Sequence, residues 1–226
     1  MRNLTVLFTN FKRALGNCPD IKIIDEKSQF DPPSESRKKS GLAELRDEGF
    51  DIDAWLGSVI TLSKGNSITY HVIRNRQNKG EGSFNLNNPQ EFLIEPEPWV
   101  AKLATNEMDR ERLKKVRIID QPSVNQTFTG LIVDGQSPPK IPSELVYFRR
   151  GKLLPMKLSF FDYYETLAEF MGILNWQLLF TEVDPTHPDL KSDFSQLSAS
   201  LEDFKEIFPS RDFGVWEKML LERQLV

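Results

Sequence analysis

The chain has 226 residues, 39% hydrophobic and 27% charged, with a formal net charge of -4. That length suits one large domain or two small ones, and burying roughly 70% of the unfolded surface makes disulfides and metals unnecessary for folding. The mild acidity argues against a dedicated nucleic-acid binder, which must neutralise phosphates with a concentrated basic face, and the 16 Phe argue against global disorder.

The lone cysteine, Cys18, cannot form an internal disulfide, which fits a reducing compartment. Met1-Arg2-Asn3 leads into an amphipathic stretch rather than a continuous apolar run, so no signal peptide is expected. No run of about 18 apolar residues occurs, so no membrane-spanning helix is expected either. These features together predict a cytoplasmic protein.

Leu4, Leu7, Phe8, Phe11 and Leu15 repeat at spacings of three and four, which predicts a helix ending at Gly16. The polar stretch from Asp31 to Ser40 reads as a loop, and Gly41 to Gly49 as a short helix presenting Leu42 and Leu45. Val59–Leu62 and Ile68–Ile73 are β-rich runs separated by Ser63-Lys64-Gly65-Asn66-Ser67, so they predict a hairpin. Phe84–Leu86 adds a short strand after a turn at Gly80 and Gly82. Asn88-Pro89-Gln90-Glu91 is suited to start a short helix. Trp99 to Lys115 is helix-like, with Trp99, Leu103 and Leu113 expected to face inward.

Strands are predicted at Val116–Asp120, Phe128–Asp134 and Leu145–Arg149, the last pairing with Lys152–Leu154 across Arg150-Gly151. Pro138 to Pro142 reads as a stiff surface connection. Ser159 and Asp162 form a capping box with Asp in place of Glu. The helix they open carries Phe160, Tyr163, Tyr164, Leu167, Ala168 and Met171, with Gly172 as its stop. Two more helices are expected, one through Phe194, Leu197, Leu201, Phe204 and Phe208, the other through Trp216, Met219 and Leu220 from near Asp212. Helices at both ends with consecutive strands between them predict an α+β fold: a mainly antiparallel central sheet flanked by N- and C-terminal helices. Residues 1–226 are read as a single domain, with 185–226 as a C-terminal helical extension.

Motifs for catalysis are sparse. His71 lies in an alternating strand and reads as a sheet histidine. His187, between Asp184 and Asp189, has no HxxxH or CxxC partner that would complete a zinc site, so no metal is expected. Cys18 follows a helix, where no helix N-terminus lowers its pKa, and reads as inert. Gly80-Glu81-Gly82 is a lone GxG whose glutamate repels phosphate, and it reads as a simple turn. The pairs Asp51/Asp53, Glu95/Glu97 and Glu202/Asp203/Glu206 are expected to be solvated, and Arg149-Arg150-Gly151-Lys152 to form a charged hairpin tip. No cofactor and no catalytic residue is assigned.

The run Pro142–Phe148, Gly151-Lys152-Leu153 and Leu158–Leu167 resembles the end of a SUKH-superfamily domain, in which a strand and polar turn lead to a Ser-Phe-type cap and an F-x-[DE]-[YF]-L-x-x-L helix. Gly172-Ile173-Leu174-Asn175-Trp176-Gln177-Leu178-Leu179-Phe180 resembles a tail of bacterial members, and Leu42–Trp55, the hairpin to Ile73 and Gly82–Leu86 resemble the earlier elements more faintly. The Leu-Pro and Asn-Gly-Gly elements of the family are not found after the first helices.

The family includes fungal regulators of cell-wall assembly and bacterial immunity proteins that dock on a cognate toxin without catalysis. The resemblance implies a protein partner, a cognate bacterial toxin neutralised by docking, and no enzyme activity. An acidic chain suits a basic toxin. The acidic, proline-stiffened segment around Glu91, Glu95, Glu97 and Trp99 is the candidate partner surface, its bland alternative being a solvated loop that packs Phe92 and Trp99 inward. A small hydrolase using dispersed carboxylates is the competing reading.

Overall fold

The computed structural model describes residues 4–27, 66–87, 98–122, 126–133, 145–183 and 187–224. The elements are α1 (Leu4–Gly16), β1 (Ile21–Lys27), β2 (Asn66–Arg74), β3 (Gln77–Leu86), α2 (Pro98–Ala101), α3 (Glu107–Leu113), β4 (Val116–Asp120), β5 (Phe128–Ile132), β6 (Leu145–Arg149), β7 (Lys152–Pro155), α4 (Phe160–Glu169), a 3-10 turn (Trp176–Phe180), α5 (Lys191–Ile207) and α6 (Gly214–Gln224). The strands form one antiparallel seven-stranded sheet in the order β1-β2-β3-β4-β5-β6-β7. The expected α+β architecture is therefore what the chain adopts. Among the described residues, no helix is long and apolar enough to cross a membrane.

Side-chain alternation places apolar groups on both sheet faces. Val146 and Phe148 of β6 join Val116, Phe128 and Leu153 in a core under α2 and α3. Leu145 and Tyr147 point the other way, into the larger core shared by α1, α4, α5 and α6. A continuous apolar run such as Leu145-Val146-Tyr147-Phe148 is what a strand covered on both sides needs. Helices α5 and α6 supply Phe194, Leu197, Leu201, Phe204 and Leu220 to that larger core.

The structure corrects several expectations. Strand β2 is paired with β1 on one edge and β3 on the other, while Val59–Leu62, its expected hairpin partner, lies outside the described residues. The true hairpin turn is Asn75-Arg76, with φ of 50° and 61°, as a type I′ turn requires. The missing glycine at Arg76 hides that turn from sequence inspection. Gly80 and Gly82 lie inside β3 instead of in a turn. Strand β1 has no counterpart in the sequence reading: its alternation is interrupted by a register shift between Ile23 and Asp25, and pairing with β2 holds it.

The Trp99–Lys115 helix is two short helices, because Asn106 caps α3 by accepting the Asp109 N–H at 2.8 Å. Strand β5 ends at Ile132. The expected elements at residues 31–49, 59–62, 88–91 and 138–142 lie outside the described residues.

Strands β3 and β4 share a single register pair, Leu86 with Asp120. Before that point they part, and the chain leaving α4 fills the gap. Met171 and Gly172 take φ of 56° and 69°, the Gly172 N–H bonds Leu167 O at 3.1 Å, and Gly172 O accepts the Ser83 N–H at 2.8 Å. Ile173 forms an isolated bridge with Gly82, and the buried Tyr70 hydroxyl donates to Met171 O.

Gly82 is required at this crossing, since a Cβ there would lie 2.3 Å from Tyr70 Cζ and Oη. Gly82→Ala is expected to lower stability by roughly 1–3 kcal/mol, the usual cost of overpacking. Urea unfolding would show this as a lower midpoint at unchanged slope.

Candidate functional site

Three polar groups of residues stand out in the structure. The first centres on Asp120, whose side chain is fully buried at the end of β4. Its Oδ1 accepts the Asn85 N–H at 2.8 Å, and its Oδ2 accepts the Tyr163 hydroxyl at 2.6 Å. Tyr163 Oη also lies 3.1 Å from Thr129 Oγ1 and 3.5 Å from Gln177 Nε2. Burial pushes the Asp120 carboxyl up to about 6, while the bonds from Tyr163 and Asn85 limit the rise. The same burial, together with the Asp120 charge, holds the Tyr163 hydroxyl well above its ordinary range.

The second group joins the β6–β7 turn to the first turn of α5. Arg149 donates from Nε and Nη2 to the two Asp193 oxygens at 3.1 and 2.7 Å, and from Nη1 to Thr127 Oγ1 at 2.8 Å. Arg150 grips the same carboxylate at 2.8 and 3.1 Å. Burial alone would raise the Asp193 carboxyl, but the hydrogen bonds and charges of Arg150 and Arg149 outweigh it and hold the group below its ordinary value. The expected hairpin turn is present. Its description as a charged surface tip is corrected for Arg149, which is buried against an acid 44 residues away. Beside it, Lys152 Nζ lies 2.7 Å from His187 Nε2 and 3.1 Å from Asp189 Oδ2. Among the described residues, no group of three or more His, Cys, Asp or Glu is arranged to hold a metal ion.

The third group lines a cleft of about 40 Å³ between β3 and β6, to which Ile173, Leu174, Asn175 and Gln177 also contribute. Tyr147 Oη donates to Asn175 Oδ1 at 3.3 Å, and Asn175 Nδ2 donates to Gln196 Oε1 at 3.3 Å. Asn175 itself sits at φ 66°, ψ 10°.

The residues singled out from sequence are dispersed. Glu91, Glu95 and Glu97 lie outside the described residues. Trp99, expected to face inward, is instead 48% exposed, because α2 is too short to bury two faces and turns Val100 and Ala101 into the core. Met108, on the adjoining α3, is 70% exposed. Asp109 pins α3 to β7 by accepting the Leu153 N–H at 3.1 Å. His71 faces Glu81 at 3.7 Å, and Cys18 packs half-buried against the core. Asp120, Asp193 and Gln177 escaped sequence inspection. The available signal for Asp120 was a carboxylate closing the buried strand Val116-Arg117-Ile118-Ile119, and pairing across 43 residues is not a local pattern.

Because Asp120 is raised from 3.8 to about 6 in the fold, folding favours its protonated form. Its contribution to stability is fully present below the unfolded value and is lost as pH rises through about 6. Urea midpoints are therefore expected to fall between those limits in the native chain, and to fall less in Asp120→Asn. A separate test concerns the buried pair. Asp193→Ala strands Arg149 without its carboxylate and is expected to cost about 3–5 kcal/mol, whereas replacing both residues with apolar ones of similar volume is expected to restore most of the loss.

Compared with family models, curated proteins and solved structures, the chain matches none.

Proposed function

We propose that this chain is a non-catalytic protein-binding protein of SUKH type that neutralises a basic toxin domain by direct docking. The observation that carries this reading is the placement of Trp99. The two residues after it are anchored in the core, so a half-exposed indole is presented from a rigid base, with the exposed Met108 on the neighbouring helix. Rigid aromatic anchors of this kind dominate the energetics of protein interfaces. The net charge of -4 complements a basic partner and would speed encounter with it.

The residues that carry the SUKH resemblance add support. Those among the described residues, from Leu145 to Phe180, fold as strand β6, the Arg150-Gly151 turn, strand β7, the Ser159-capped α4 and the Trp176–Phe180 turn. The Ser159 Oγ accepts the Asp162 N–H at 3.1 Å. The hydrolase alternative draws less support, since it calls for several dispersed carboxylates meeting in one site and Glu81 is the single carboxylate among the described residues that line the cleft.

The test is to co-express the chain with the toxin-like protein encoded beside it and to measure binding by calorimetry. A complex that restores growth, weakens with salt and loses roughly 2 kcal/mol in Trp99→Ala is the expected result. The absence of any such neighbouring gene, or of binding to its product, would refute the reading.

A further inference from the structure

The cleft between the sheet halves is lined by polar side chains that a packed core would replace with apolar ones. Ser83, Tyr147, Asn175 and Gln177 line it, and each is at least nine-tenths buried. Buried amides and hydroxyls are costly unless their hydrogen-bonding capacity is used. Ser83 Oγ lies 3.0 Å from Thr69 Oγ1 and the Tyr147 hydroxyl is bonded to Asn175, whereas the two carboxamides are held only by long bonds. Among the described residues Asn175 makes two side-chain bonds, both at 3.3 Å, and Gln177 makes one at 3.5 Å. These are long beside the roughly 2.9 Å common for N–H···O, and a carboxamide has about four bonding positions. Asn175 is moreover held in the left-handed region, a conformation that costs free energy for a residue other than glycine.

Charge and size narrow the ligand. Arg149 is engaged by Asp193 and Thr127, so the charge left on the lining is that of Glu81, half-buried against His71, which disfavours an anion. A cleft of about 40 Å³ holds about three water-sized groups at 10–15 Å³ each. The amides and hydroxyls offer donors and acceptors together, which a carboxamide answers in kind.

We propose that this cleft is a receptor for one primary carboxamide group, hydrogen-bonded by Asn175, Gln177 and Tyr147. The group comes either from a small free amide or from an Asn or Gln side chain of a docked protein. The inference stands apart from the Trp99 surface, and its test uses no partner protein.

The test follows the side-chain amide signals of Asn175, Gln177 and Gln196 in the full chain by NMR, during titration with acetamide, with N-acetylglutamine methylamide, and with acetate as the anionic control. Saturable shifts are expected with an amide Kd on the order of millimolar, and acetate at least about tenfold weaker. Asn175→Gly suits the backbone at φ 66°, so it keeps the fold and is expected to abolish saturation. Saturation by acetamide alone assigns the site to a free amide, and saturation by the glutamine compound assigns it to a protein side chain. No saturable shift from either amide, equal binding of acetate, or unchanged binding in Asn175→Gly overturns the proposal.

Discussion

Strands β3 and β4 meet at one point only, and the sheet is continuous because of it. Two blocks of sheet, β1–β3 and β4–β7, are joined by one register pair, Leu86 with Asp120. Flanking bonds reinforce the joint, with the Asn87 N–H donating to Ile119 O and the Gln121 N–H to Asn85 O, each at 2.9 Å. The Asp120 carboxylate adds a bond to the Asn85 N–H and another to Tyr163, so a single buried side chain ties both sheet blocks to α4. A charge in that position is costly, and the raised proton affinity of the group expresses the cost.

Where the strands part, backbone from the end of α4 takes over the pairing. Buried peptide groups require partners, so the exposed edge of β3 is met by Gly172 and Ile173. That substitution forces left-handed conformations at Met171, Gly172 and Asn175 and a glycine at position 82 against the Tyr70 ring. The same segment then carries Asn175 and Gln177 to the cleft. The strained backbone and the polar lining thus have a common origin in the incomplete β3–β4 ladder.

Ion pairs elsewhere hold separate elements in register. The Asp193 ion pairs bring α5 onto the β6–β7 turn, whereas Arg223 of α6 donates hydrogen bonds to the backbone carbonyls of Thr181 and Val183 after the 3-10 turn. Exposed pairs such as Lys218 with Glu222 contribute little by comparison. Partner recognition in the proposed reading uses a different face, where α2 and α3 cover the smaller core and turn Trp99 and Met108 outward.

Elements with local signals were legible before any tertiary contact was known. Helix α1, the Ser159 cap, the α4 stripe, strand β6 and the α5 periodicity follow from spacing and capping chemistry within a few residues, and with them the α+β class. Tertiary structure decided the partners. Strand β1 exists because β2 offers an edge, Trp99 faces outward because Val100 and Ala101 take the available core, and Arg149 is buried because Asp193 awaits it. Asp120 is the clearest case: its neighbours in sequence describe an ordinary strand end, while its burial raises its proton affinity and its hydrogen bonds to Tyr163 and Asn85, 43 and 35 residues away, limit the rise. Periodicity encodes which face of an element is apolar, but the long-range pairing of polar groups is settled only when those faces meet.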